Sequence, residues 1–404
     1  MKLRGAIVLI LAFSAAVSGC GPGGKTDAPA APYSPPGSSP ESGAEQPRPA
    51  EPAPPAVFFQ DGGGPDRRGA GAGLAPRFPP EPLWHHAVGG ADRSGPAVDL
   101  DRLYVMGTDG NLVCLSRSDG RLLWTFAVQP PAFSAPAAGD GVVYAADGTG
   151  AVYAVRAGDG VEIWKRETGE PSAAPLLLAD GVVVAAGSRG GVSAFRAADG
   201  ELLWKSDLKA PVHAAPSAGD GRIFLGTQTG AAVALSAADG RELWRRNVRG
   251  AVRAPLVPGD DGVFGSSAGA SGGGYYLLDA ASGEIRWSQS LAAGIIAPAA
   301  SEKGRVVFAD TEGTVFAVDP ATGILRWRTK LFEPVSAGLL LVDGNVMAAT
   351  EESLLYRLDA ETGKISGRAA LPRGVSTPPV CLDGIGYIEI GQASSRERQS
   401  VAVV

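Results

Sequence analysis

Between residues 134 and 167 short runs rich in Val, Ala and Tyr alternate with polar punctuation at Asp140-Gly141, Asp147-Gly148-Thr149-Gly150 and Asp159-Gly160. Within the runs the apolar positions recur at close to every second residue, the period of a strand with one face turned inward. Asp-Gly between such runs marks a hairpin, because a tight turn needs a positive φ that glycine adopts without a Cβ clash. The pattern predicts four antiparallel strands, A to D, at about 134–138, 141–146, 150–156 and 161–167. No run reaches ten residues without a glycine, so no helix is predicted in this unit.

The unit recurs. All seven tryptophans, Trp84, Trp124, Trp164, Trp204, Trp244, Trp287 and Trp327, lie 40 residues apart, except for one interval of 43 between Trp244 and Trp287. A glycine precedes each of the last six by four residues, and the series continues without its aromatic at Gly363 and Gly367. A repeat of this length, built from four strands, predicts a β-propeller, in which each unit buries its faces only against its neighbours. Complete units run at about 94–128, 134–168, 172–208, 213–249, 252–291, 295–331 and 335–371. An eighth begins at 376–380 and 385–390, takes 399–404 as its third strand, and lacks a fourth. Residues 81–88, containing Trp84, form a D strand with no A, B or C before it. The expectation is an all-β, eight-bladed propeller of four-stranded antiparallel blades over residues 81–404, its ring closed by the N-terminal strand, which covers edges that would otherwise be open. Seven blades or a split ring are the alternatives.

Strict periodicity assigns the seven tryptophans to docking each D strand on the next blade rather than to a binding surface. The repeat Ala317-Val318-Asp319-Pro320-Ala321-Thr322-Gly323, ending at Trp327, resembles the A-x-D-x-x-T-G-x-x-x-W signature of the PQQ-like β-propeller superfamily. Asp279, Ser282, Gly283 and Trp287 match it nearly, and Asp359, Thr362 and Gly363 match it without the tryptophan. The resemblance implies the fold. It leaves the activity open, since the superfamily contains quinoprotein dehydrogenases as well as cofactor-free scaffolds, chiefly the BamB lipoproteins of the outer-membrane β-barrel assembly machine. Residues 57–80, with Phe58, Phe59, Arg67 and Arg68, resemble a lead-in segment of broader PQQ-like repeat lipoproteins. In the best-known BamB type a loop of pattern L-x-L-R-G-x-x-A-P contacts the barrel-assembly protein. The matching stretch here is 167–175, from Glu167 to Pro175, and it has neither the leucines nor the arginine.

The N-terminus points to export. Lys2 and Arg4 form a basic start, followed by an apolar stretch over 6–17 that is too short to span a bilayer. It ends Val17-Ser18-Gly19-Cys20, a lipobox that makes residues 1–19 a lipoprotein signal peptide and Cys20 the lipidated residue; a plain signal peptide with a chance cysteine is the alternative. The residue after Cys20 is Gly21 rather than Asp, which in a Gram-negative host resembles the default sorting to the outer membrane. Residues 20–56 are rich in Pro, Ala and Ser, bury too little to order themselves, and are expected to act as a tether. Net charge is −6, from 36 basic and 42 acidic residues, which argues against nucleic acid as a partner.

Candidate chemistry is sparse. Cys114 and Cys381 fall on different strands of neighbouring units, so no disulfide is expected. No cysteines are adjacent, as they are over the cofactor in quinoprotein dehydrogenases. His85, His86 and His213 do not converge with acids, and no catalytic or metal role is assigned to them. The recurrent aspartates (Asp119, Asp159, Asp199, Asp239, Asp279, Asp319 and Asp359) sit in turn motifs and read as turn caps rather than calcium ligands. Two features are candidates for partner binding: Arg245, Arg246, Arg249 and Arg253 at the disc rim, and the glycine-rich insertion 265–274 in a blade hairpin, expected to be flexible, with a merely tolerated loop as the alternative. The resulting expectation is a lipid-anchored, non-enzymatic scaffold without cofactor, resembling BamB, with envelope proteins as partners. A PQQ-dependent oxidoreductase and a periplasmic ligand-binding sensor are the alternatives.

Overall fold

The computed structural model describes residues 75–389 apart from 76–77, 81–82, 90–94, 100, 131–133, 173, 271, 303, 336, 372–373, 376, 378 and 384. Cys20, the tether and all of the lead-in before Ala75 lie outside these residues, as does the third strand expected at 399–404. Among the described residues there are seven four-stranded antiparallel sheets and one two-stranded sheet, and no helix.

The second sheet shows how closely pattern becomes structure. Its strands are Ala137–Gly139, Val142–Ala146, Ala151–Arg156 and Glu162–Glu167, hydrogen-bonded in that order. Strands B and C are almost wholly buried, whereas D is exposed on both sides of Trp164. The A strands of successive sheets adjoin from the first sheet to the fifth and again from the sixth to the eighth. The sheets are therefore set like blades, A strands inward and D strands outward.

Each tryptophan does the same job. Trp164, on strand D of the second sheet, donates its indole N–H to the carbonyl of Ala197 in the C–D turn of the third, at 2.9 Å. The same bond runs from Trp84 to Arg117, Trp124 to Ala157, Trp204 to Ala237, Trp244 to Ala280, Trp287 to Pro320 and Trp327 to Ala360, all within 2.9–3.0 Å. The glycine of the receiving turn is required twice over. Gly200 has φ +72°, and a Cβ there would come within 2.7 Å of the Trp164 ring. In all seven C–D pairs the register slips immediately after the residue that faces the tryptophan position, for example between Ala154 and Val155. Such an irregularity bends the strand and re-aims its side chains.

The eighth sheet consists of Val380–Leu382 and Ile385–Tyr387. It meets the first sheet through Arg117, whose Nε donates to the Tyr387 hydroxyl at 2.6 Å and whose Nη2 donates to Asp383 at 2.9 Å. The Trp84 ring lies 6.5 Å from that of Tyr387, in a core cluster drawn from the first, seventh and eighth sheets. Residues 83–88, within the stretch 81–88 expected as a strand, are not part of a ladder among the described residues. The glycine-rich insertion lies in a blade hairpin, as expected, and lengthens it regularly: Gly262–Gly269 pairs with Gly272–Leu278, and Ala268 bridges to Ala251. Lack of side chains lets backbones approach here: a Cβ on Gly273 would stand 2.1 Å from the Ser267 carbonyl oxygen.

Candidate functional site

The rim arginines are partly spoken for. Arg245 pairs with Glu242 at 2.6 Å, and Arg246 donates to the carbonyl of Gly283 in the next sheet at 2.8 Å, as Arg166 does to Gly200. Arg249 and Arg253 flank the connection into the fifth sheet and are exposed. Arg246 thus serves a contact between blades, and Arg245 a pair within its own strand.

Neither Cys114 nor Cys381 is in a disulfide; both are buried. Burial raises the Cys114 thiol to about 12, which makes it unreactive at neutral pH. His85 and His213 are exposed, and burial lowers the pKa of half-buried His86. No cluster of three or more metal-ligating side chains exists among the described residues. The recurrent aspartates accept backbone N–H bonds within their own turns, as Asp199 does from Glu201 and Asp319 does from Thr322. Backbone and side-chain donors hold both carboxyls below the usual range, the Glu201 N–H leading at Asp199 and the Arg326 guanidinium at Asp319. No helix among the described residues is long and apolar enough to cross a membrane.

Sequence reasoning missed a cavity of about 480 Å³ between the second and third sheets, at the face where D–A connections meet B–C turns. This lies within the size range of small-molecule sites, about 300–1,000 Å³. Thr168 and Glu170 line it from the connection, Gly187 and Arg189 from the B–C turn of the third sheet, and Ser193 and Lys205 from its strands C and D. Glu170 belongs to the 167–175 stretch singled out above. Its Oε2 accepts the N–H of Arg189 at 3.0 Å, while its Oε1 is buried with no hydrogen-bond partner in the structure. Lys205 is tied to the Thr168 carbonyl at 2.9 Å, and Lys209 holds the Asp207 carboxyl below its usual range. A second cavity, of about 490 Å³, lies at the seam of the first and eighth sheets beside Arg117 and Asp383.

Comparison with known proteins agrees with this architecture. No curated protein sequence matches the chain. Among solved structures it resembles BamB from Moraxella catarrhalis at 17% identity and a TM-score of 0.60, over 72% of this chain and 94% of that one. It also resembles the quinohemoprotein alcohol dehydrogenase of Comamonas testosteroni, at 14% identity and a TM-score of 0.67, over 86% of this chain and 80% of the enzyme. A computationally designed protein, Ika8, matches at 17% identity and a TM-score of 0.62, over 73% of this chain and 95% of its own. At such identities these likenesses speak for the fold alone. The family model for outer membrane protein assembly factor BamB matches residues 80–192, 188–290 and 271–370, nearly three-quarters of the sequence, and the chain belongs to that family of PQQ-like β-propeller proteins.

Proposed function

We propose that the protein is a non-enzymatic, lipid-anchored scaffold of the bacterial envelope, with a BamB-like role in the assembly and insertion of outer-membrane β-barrel proteins. The observation that carries this is the match of the BamB family model in three overlapping stretches from residue 80 to 370. In this reading eight blades close into a ring at the Arg117–Tyr387 contact, with Trp84 standing in the last D-strand position. Cys20 carries the anchor, residues 21–56 span the distance to an outer membrane, and the disc faces the periplasm.

The dehydrogenase likeness supplies the other reading, a quinoprotein. The residues present do not fit that cofactor: all seven tryptophans are engaged between blades, so none is left to stack on a quinone, and Cys114 and Cys381 stand on different sheets. Two experiments separate the readings. Crosslinking in membranes followed by affinity purification is expected to enrich a barrel-assembly subunit stoichiometrically, and its clean absence would remove the scaffold role. Incubation with PQQ and calcium is expected to leave no cofactor absorbance on the protein after gel filtration. Retained absorbance with dye-linked alcohol oxidation would establish the enzyme instead.

A further inference from the structure

The repeats serve as internal controls for one another, and the cavity at Glu170 is a place where one repeat departs from the rest. On strand C, one residue before the position paired with tryptophan, the other complete sheets carry Val113, Tyr153, Val233, Tyr276, Phe316 and Tyr356. All six are buried and fill the junction with the preceding blade. The third sheet has Ser193 there.

The second sheet shows what the missing side chain does. Tyr153 donates its hydroxyl to Asp147 Oδ2 at 2.9 Å, and Lys165, its cross-strand neighbour, lies over the ring at 5.1 Å. The other oxygen of Asp147 accepts the N–H of Thr149 at 2.9 Å. In the third sheet the lysine is kept as Lys205, opposite Ser193, but the aspartate position is Gly187. Glu170 reaches across from the blade connection to supply the acid. A Cβ on Gly187 would lie 2.2 Å from Glu170 Oε1, so the carboxylate sits where a side chain of residue 187 would begin. Glu170 Oε2 accepts the N–H of Arg189, the counterpart of Thr149. Its Oε1, the counterpart of the oxygen that receives the tyrosine hydroxyl, has no partner. A buried carboxylate oxygen without a donor is costly, which favours any ligand that supplies one.

We propose that this cavity binds a phenolic ring, held under Lys205 with its hydroxyl donated to Glu170 Oε1 and its body in the space that a Ser193 side chain leaves open. The phenol comes either from a tyrosine of a partner protein or from a free small molecule. The assignment goes beyond the scaffold reading and does not rest on it, because it follows from the comparison of one repeat with another.

The test is ligand-observed NMR titration of the purified full chain with N-acetyl-tyrosinamide, N-acetyl-phenylalaninamide and 4-methylphenol. Saturable binding of the tyrosine amide is expected, with the phenylalanine amide about tenfold weaker for want of the hydroxyl. Ser193→Tyr, which places the ring in the cavity covalently, is expected to abolish binding, and Glu170→Gln, which keeps the loop's shape, to weaken the tyrosine amide about tenfold but leave the phenylalanine amide unchanged. Circular dichroism confirms that each variant folds. A tyrosine amide that outcompetes 4-methylphenol points to a partner's tyrosine, and equal binding points to a small phenol. Absence of saturable binding, equal affinity for the two amides, or binding unaffected by Ser193→Tyr would overturn the assignment.

Discussion

Phe78 takes the place of a tryptophan that Gly367 lacks. Gly367 pairs with Arg357 on the seventh sheet in the register that sets Trp327 opposite Ala317 on the sixth. A Cβ on Gly367 would come within 2.3 Å of the Phe78 ring, and the Arg357 guanidinium lies over that ring at 5.0 Å. Phe78 and Ala75 also pack against the cluster containing Val380, Leu382 and Tyr387. A residue far away in sequence thus fills the junction of the seventh and eighth sheets. Phe78 is only partly buried, so Phe78→Ala is expected to cost about 2–3 kcal/mol, below the roughly 3–5 kcal/mol of a fully buried phenylalanine. Gly367→Ala is expected to drive Phe78 out and to speed amide exchange in Val380–Leu382, the strand against which it packs. Urea titration and hydrogen exchange check the two outcomes; unchanged stability in Phe78→Ala would show the packing to be incidental.

The docking of tryptophan on glycine can be weighed against a built-in control. Gly181 and Gly200 have φ near +73° and +72°, but only Gly200 has a tryptophan in the way; a Cβ on Gly181 meets nothing within 4 Å. Gly181→Ala is expected to cost only the left-handed backbone penalty, about 1–2 kcal/mol. Gly200→Ala carries the same penalty plus displacement of Trp164, so its loss should be clearly larger. Trp164→Phe keeps most of the apolar contact and loses the bond to Ala197, for about 1 kcal/mol, whereas Trp164→Ala should cost about 3–5 kcal/mol. Chemical denaturation of the four variants gives the ranking.

How far this was legible in the sequence depends on how local each relationship is. The strands of the second sheet were readable to within about three residues, because Asp-Gly turns and the period of two act inside one hairpin. The tryptophan series was readable because it repeats. Gly367 was visible as a break in the series, but nothing in residues 57–80 is in register with the repeats, so Phe78 carried no periodic signal. The insertion 265–274 was legible as part of a blade hairpin from the 43-residue interval, but the close approach of paired backbones at Gly273 and Gly274 was not, because it depends on which residues end up opposite one another. Ser193 could have been found by stacking the repeats. Glu170 could not, since the acid it replaces belongs to another position in the repeat and reaches it only through folding.

Alkaline pH should expose the buried weak acids. Burial pushes the Tyr144 and Tyr387 hydroxyls up to about 12, and the Cys114 thiol to about 12. Unfolded, tyrosine and cysteine titrate at about 10 and about 8.5. A folded pKa above the unfolded one means that the folded chain keeps its proton longer. The contribution is complete below the unfolded pKa and is lost as pH rises through the folded one. Urea midpoints are therefore expected to fall between about pH 9 and 12. Cys114→Ala, which installs the alanine found at that position in neighbouring repeats, should remove the part of the decline that begins below pH 10. A flat profile across this window would contradict the burial of these groups.

The seam between the first and eighth sheets joins the two ends of the series of sheets, and its bonds differ in worth. The Arg117 side chain is 10% exposed, but that of Asp383 is 64% exposed, so water screens their ion pair. Asp383→Asn is expected to change stability by about 0–1 kcal/mol. The bond from Arg117 Nε to the Tyr387 hydroxyl is buried and charge-assisted. A double-mutant cycle of Arg117→Met and Tyr387→Phe is expected to return a coupling of about 1.5–3 kcal/mol. Arg117→Lys should rescue little, since a point charge cannot span the hydroxyl, Asp383 and the Leu382 carbonyl from one planar group. If the ring is closed in solution, Arg117→Met should also speed amide exchange in Val380–Leu382, at the far end of the chain, and leave the fourth sheet unchanged. A coupling near zero with protection intact in the eighth sheet would mean that the seam is held by Trp84 and its apolar cluster instead.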